Sequence, residues 1–203
     1  MEINKILLAT KNKNKFREIN KLNENENLEF IYKEDLIEIE EDGETFFENA
    51  YKKAYETAKY YNIISMADDS GLVVEALNNE PGIYSARYAG DERDDEKNNK
   101  KVLDKLKKSD NRKAKFVAVI VLARPDGKFW KSKGICKGSI TEAPAGENGF
   151  GYDPIFKPKN YDKTMAQIEM KKKNKISHRG KAIREIFKII DKNYSKIFEV
   201  IKK

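Results

Sequence analysis

An α/β fold, with a long central mixed β-sheet flanked by helices, is what this chain predicts, and three observations lead to it. A strand pattern at residues 5–9, with the apolar run Ile6-Leu7-Leu8-Ala9, passes through a polar loop into a helical pattern. A second helical pattern opens on Thr45 with Glu48 three residues later. A long apolar strand at residues 114–123 leads through the turn Pro125-Asp126-Gly127 to a partner strand at residues 129–140. Strands alternating with helices in this way read as a sheet with helices packed on it. At 203 residues the chain holds one domain, or one domain of two lobes, and buries a core without disulfides. Charged residues make up 37% and hydrophobic residues 39%, but the apolar residues come in periodic runs with ten Phe and ten Tyr, which argues against disorder.

Charge narrows the function classes. The net charge of +7 invites a nucleic-acid reading, yet only seven of the 41 basic residues are Arg and the lysines are spread along the chain among asparagines. That is compositional drift rather than a basic face, so no nucleic-acid partner is expected. A positive balance does suit a small anionic substrate. The lone Cys136 has no disulfide partner, and one Cys with one His makes no zinc site. The first apolar run is too short for a signal peptide or a membrane span, so a cytoplasmic protein with no membrane partner is expected.

In chain order, residues 5–9 read as a buried strand and Phe16, Ile19 and Leu22 as one face of the helix that follows. Between them Thr10, Lys11, Asn12, Lys13, Asn14 and Lys15 surround a helix N-terminus with hydroxyl, amide and ammonium groups, a natural setting for phosphate. Capping of the helix by Thr10 or Asn12 explains the same residues without a ligand. No Walker spacing exists anywhere in the chain. Residues 28–32 and 36–39 read as strands. Glu38, Glu40, Glu41 and Asp42 then form an acidic stretch, ordinarily a solvated edge. The helix opened by Thr45 carries an apolar stripe, Phe46, Ala50, Ala54 and Ala58, through Tyr61; Lys53 on it points either toward the loop end or into water.

Next comes Ala67-Asp68-Asp69-Ser70-Gly71-Leu72, two carboxylates and a hydroxyl between two apolar runs. Read as the end of a strand, it places a carboxylate pair at the lip of a sheet, where it can hold a hard cation or activate water. Asp-Asp-Ser-Gly is equally good turn chemistry. A compact aromatic segment spans residues 81–90, an acidic loop residues 91–95, and a helix with Val102, Leu103 and Leu106 residues 96–108. The hairpin of residues 114–140 is scaffold. In the loop of residues 144–154, glycines allow close approach to a ligand, while Phe150 and Tyr152 either offer faces to a nucleobase or plug the core. The only histidine, His178, sits beside Arg179 where the last amphipathic helix begins.

Four stretches together resemble the inosine and xanthosine triphosphate pyrophosphatase family. They are Thr10-x-Asn12-x-x-Lys15-x-x-Glu18; Glu41-x-Gly43-x-Thr45-Phe46-x-Glu48-Asn49-Ala50-x-x-Lys53-Ala54; Asp68-Asp69-Ser70-Gly71-Leu72 continuing to Pro81-Gly82-x-Tyr84-Ser85-Ala86-Arg87-Tyr88; and Gly149-Phe150-Gly151-Tyr152-Asp153-Pro154 with Ser177-His178-Arg179-Gly180-Lys181-Ala182. The resemblance implies a single nucleotide-pyrophosphatase domain over residues 1–203, in two lobes with the active-site cleft between them. It implies hydrolysis of deaminated purine nucleoside triphosphates to monophosphate and pyrophosphate, which cleans the nucleotide pool, and a homodimer.

By the same resemblance, residues 10–15 and Lys53 hold the triphosphate. Glu41 and Asp69 hold magnesium, with manganese able to substitute, and Asp69 is the base for the attacking water. Ser70 contacts substrate, and Phe150, Gly151, Tyr152, Asp153, Lys173, His178 and Arg179 form the base and sugar pocket. One position departs from the family pattern: Lys172 stands where a Glu usually precedes the substrate-binding lysine. The nearest enzymatic rival, a related pyrophosphatase acting on modified pyrimidines, is disfavoured by the motifs around Phe150 and His178.

Overall fold

The computed structural model describes residues 3–199. Six strands form one mixed sheet in the order β2-β1-β3-β4-β5-β6: β1 Asn4–Leu8, β2 Leu28–Ile31, β3 Ser65–Val74, β4 Lys113–Ala123, β5 Phe129–Ile140 and β6 Phe156–Pro158. β1 pairs parallel with β2 and with β3, and β5 pairs antiparallel with β6. Among the described residues six α-helices accompany them: α1 Lys13–Lys21, α2 Phe46–Tyr61, α3 Asp95–Lys105, α4 Met170–Ile176, α5 His178–Lys192 and α6 Tyr194–Phe198.

The chain divides into two compact units. Residues 1–69, 119–133 and 180–203 make the first, and residues 70–118 and 134–179 the second. In the first unit, Ala50 and Ala54 of α2 pack with Leu7, Ala67, Val119 and Val121, small helix residues that let the backbone approach the strands closely. In the second, Leu72, Val74, Phe116, Cys136, Ile140 and Phe156 from the strands meet Val102 of α3, Leu106 at its C-cap, and Tyr152 and Ile155 from the segment before β6.

Local chemistry explains where α2 starts. The Thr45 hydroxyl accepts from the Glu48 N–H at 3.1 Å while Glu48 Oε2 accepts from the Thr45 N–H at 3.2 Å. An N-cap of this kind is worth about 1 kcal/mol. Asn62, in the left-handed conformation, closes the other end. The β4–β5 hairpin turns where expected, with Arg124 N–H donating to the Lys128 carbonyl at 2.9 Å.

Two sequence expectations are corrected. Residues 36–39 belong to no strand: Leu36 is buried in the first unit's core, and the Ile37 N–H donates to the Tyr61 hydroxyl at 3.1 Å instead of to a neighbouring strand. Asp68 and Asp69 lie neither at a strand end nor in a turn. β3 runs unbroken through Asp68, Asp69, Ser70 and Gly71, joining what the sequence suggests are two runs.

Candidate active site

Because β3 is continuous, adjacent side chains leave it on opposite faces. The two aspartates therefore meet different partners, both in the first unit. Asp68 Oδ1 lies 2.5 Å from the ammonium of Lys15 on α1. Asp69 Oδ1 lies 3.3 Å from the ammonium of Lys53 on α2. Lys53 also reaches Glu41 Oε2 at 3.4 Å and donates to the Asp68 carbonyl at 3.1 Å. So Lys53 does not trail into water: its side chain is only 12% exposed, and it gathers Asp69, Glu41 and Asp68 around one cation.

These charges set the protonation of the cluster. Burial works against the charged form of Lys53, but Asp69, Glu41 and Asp68 outweigh it and hold the ammonium above its ordinary pKa. Burial pushes the Asp69 carboxyl up; Lys53 and Lys15 pull it down, and Glu41 and Asp68 push it up again, for a net rise. Asp69 Oδ2 is buried and accepts no hydrogen bond among the described residues. A buried carboxylate oxygen without a donor is costly to leave so, and it marks a position prepared for an external partner. Among the described residues no group of three or more His, Cys, Asp or Glu converges. A magnesium ion asks for less, since it commonly uses one or two protein carboxylates and takes its remaining ligands from water and phosphate. Asp69 and Glu41, which approach the same ammonium, fit that requirement.

The polar loop before α1 caps the helix. Asn12 caps α1, its Oδ1 accepting from Asn14 N–H at 2.9 Å and Lys15 N–H at 3.1 Å, and the Thr10 hydroxyl accepts from Asn12 N–H at 3.1 Å. Lys11, Asn12, Lys13 and Asn14 remain exposed, Lys13 in a surface ion pair with Glu34 at 2.8 Å, while Lys15 alone turns inward to Asp68.

In the second unit the predicted base-side residues come together. Lys173 Nζ pairs with Asp153 Oδ2 at 2.7 Å, and the same oxygen accepts from Phe150 N–H at 3.0 Å. The Phe150 ring lies beneath two cations, Lys173 at 5.1 Å and Arg179 at 5.3 Å. Arg179 Nη2 donates to the Ser70 hydroxyl at 3.0 Å. His178 is buried and stacks on Phe116, centroids 4.5 Å apart and planes inclined by 14°. Phe116 sits in an apolar strand and gave no sequence signal beyond that.

The structure gives Tyr152 and Lys172 definite places. Tyr152 does not offer a face to a ligand: it is buried in the second unit's core and its hydroxyl donates to the Ser85 carbonyl at 2.8 Å. Between stacking and plugging, it plugs. Lys172, in the place of the family's usual Glu, extends over the Tyr161 ring at 5.2 Å and leaves Lys173 to face Asp153. Gly149 allows the loop its shape, because with φ at +90° a Cβ there would lie 2.1 Å from Asp153 Oδ2.

Residues 6–189 match the model of the Ham1 family. The dITP/XTP pyrophosphatase of Aquifex aeolicus is 45% identical across 96% of this chain and 100% of its own length. That of Bacillus cereus is 47% identical across 89% of this chain and 92% of its own. Among solved structures, the HAM1 protein of Coxiella burnetii aligns with a TM-score of 0.88 at 37% identity, covering 94% of this chain and all of that one. The Staphylococcus aureus Ham1 protein aligns with a TM-score of 0.85 at 43% identity, over 93% of this chain and 99% of that one.

Proposed function

The chain belongs to the Ham1 family, and on that footing we propose that it hydrolyses deaminated purine nucleoside triphosphates, ITP, dITP and XTP, to the monophosphate and pyrophosphate. The observation that carries the chemistry is Asp69, buried, with Oδ1 beside Lys53 and Oδ2 without a donor among the described residues. Lys53 and Lys15 neutralise phosphate charge, and the N-terminus of α1, with Lys11, Asn12, Lys13 and Asn14 exposed around it, presents positive potential and side-chain donors to the triphosphate. Asp69 accepts the proton of the water that attacks the α-phosphate; burial raises its pKa, the direction a general base needs. Asp69 and Glu41 hold magnesium, which when bound adds further neutralisation of the phosphates. No covalent nucleophile is required.

Selection of the base rests on Arg179 and His178. A deaminated purine presents a keto oxygen at C6, which accepts from such donors, whereas adenine presents an amino group there. An unpaired buried donor costs about 1–3 kcal/mol, roughly tenfold to a hundredfold in discrimination per contact. The Arg179 guanidinium over Phe150 and the buried His178 support this role.

The reading also includes a cytoplasmic homodimer, which the lone Cys136 and the family resemblance support and which fractionation and sedimentation velocity test. Among the described residues no helix is long and apolar enough to cross a membrane.

One panel tests the whole reading: release of pyrophosphate from ITP, XTP, dITP, GTP and ATP, with and without Mg²⁺. Mg²⁺-dependent pyrophosphate from the first three, and little from GTP and ATP, is the expected result. Release of orthophosphate alone, or equal turnover of ATP, overturns it.

A further inference from the structure

We infer that Asp95 and Asn99, on α3, are positioning residues for base recognition, holding the loop of Phe150, Gly151, Tyr152 and Asp153 through the backbone of Gly151. This rests on the base pocket proposed above and gives a role to two residues outside the motifs, which the sequence places only in an acidic loop and a helix. Asp95 and Asn99 are four residues apart on a helix and so share a face. Asp95 Oδ2 accepts from Gly151 N–H at 2.6 Å, and Asn99 Nδ2 donates to the Gly151 carbonyl at 3.0 Å. Both backbone handles of one glycine are thereby taken by one helix. Gly151 has no side chain of its own to anchor, and at φ +63° it adopts a conformation that most other residues resist.

The flanking residues show why this matters. Phe150, directly before Gly151, is the ring on which Lys173 and Arg179 converge. Tyr152, directly after it, is pinned to the Ser85 carbonyl. The α3 end of the clamp is itself braced: Asn98 Oδ1 accepts from Ala89 N–H at 2.6 Å, its Nδ2 donates to the Ala86 carbonyl at 3.2 Å, and Val102 and Leu106 sit in the core of the same unit. Asn99 is buried while Asp95 is exposed, so the asparagine's bond is the less contested by water. Its amide orientation is set, because reversing it would oppose two carbonyl oxygens.

Fixing Gly151 fixes the height and tilt of Phe150 under Arg179, the donor proposed to read the C6 keto oxygen. A loop free to move by an ångström would admit bases whose donors and acceptors do not match.

The test uses Asn99→Ala, Asp95→Ala and Asp95→Asn in the full chain. Amide hydrogen exchange over residues 148–153, measured without nucleotide, reads the clamp directly. Pyrophosphate release from ITP and ATP reads its consequence. We expect both alanine variants to exchange faster in this loop. Asn99→Ala should lose about tenfold in kcat/KM for ITP, chiefly through KM, with a smaller loss for ATP, so that selectivity falls. Asp95→Asn, which keeps an acceptor oxygen, should restore both readouts toward wild type. Unchanged exchange in a folded variant overturns the clamp. Faster exchange with ITP and ATP affected equally overturns the role in recognition. If Asn99→Ala does not fold, the exposed Asp95→Ala still decides between these outcomes. Wild-type protein that releases no pyrophosphate from ITP would instead refute the proposed function, leaving the exchange result to stand by itself.

Discussion

Replacing Lys173 by methionine keeps the length of the side chain and removes its charge from a site where charge is hard to lose. The Lys173 and Asp153 side chains are 5% and 6% exposed, and their charged atoms are 2.7 Å apart. Removing one partner of a buried pair costs about 3–5 kcal/mol, because the other charge stays behind in a poor solvent. Asp153 keeps the Phe150 N–H as a donor at 3.0 Å, which places the expected cost near the lower end, about 3 kcal/mol. For a chain of this size each kcal/mol moves the melting temperature by about 2–4 °C, so a fall of roughly 6–12 °C is expected in a thermal scan followed by circular dichroism. Asp153→Asn in the same background removes the stranded charge while retaining an oxygen for Phe150. The double variant should therefore be more stable than the sum of the two single losses allows, with a coupling of about 2 kcal/mol. Additivity within about 0.5 kcal/mol, or a fall below about 2 °C for Lys173→Met, would refute the reading of these two side chains as a coupled, buried ion pair.

Asp69→Asn should cut turnover of ITP by about 10²–10⁴ while leaving the melting curve near wild type, since Lys53 still has Glu41 and the Asp68 carbonyl as partners; a variant with near wild-type kcat removes Asp69 from the chemistry. Arg179→Ala should lower the preference for ITP over ATP by about tenfold to a hundredfold, measured as a ratio of kcat/KM values, and an unaltered ratio would exclude Arg179 as the reader of the C6 oxygen. For Gly149→Ala the structure gives both a positive φ and a Cβ 2.1 Å from Asp153 Oδ2, an oxygen already held by Lys173 and Phe150. A destabilisation of at least about 1–3 kcal/mol by chemical denaturation is expected, and a neutral result would mean the loop has room that the structure denies it.

Much of this protein was legible in residue order. The Thr45 and Glu48 cap, the α2 stripe, the hairpin at Pro125 and the start of α5 at His178 all appear where short-range patterns put them. Such features depend on residues three or four apart, and periodicity and capping chemistry report those distances directly. Asp69, Lys53, Arg179 and Asp153 were singled out through the resemblance of the ordered motifs to a known family; read by themselves, Lys53 pointed as readily into water and Asp69 into a turn.

Tertiary structure decided the rest, wherever a side chain's role depends on a partner far along the chain. Residues 36–39 have the composition of a strand, but Tyr61 takes the Ile37 N–H. Tyr152 could have faced a ligand or the core until Ser85, 67 residues away in the chain, claimed its hydroxyl. Phe116 became the stacking partner of His178, and Asn99 the holder of Gly151, through approaches of 62 and 52 positions, respectively, that no local pattern encodes. Asp68 and Asp69 show the division most plainly. Their sequence predicts carboxylate chemistry, while only the unbroken pleat of β3 sends one to Lys15 and the other to Lys53, since alternation across a strand separates neighbours that the sequence lists as a pair.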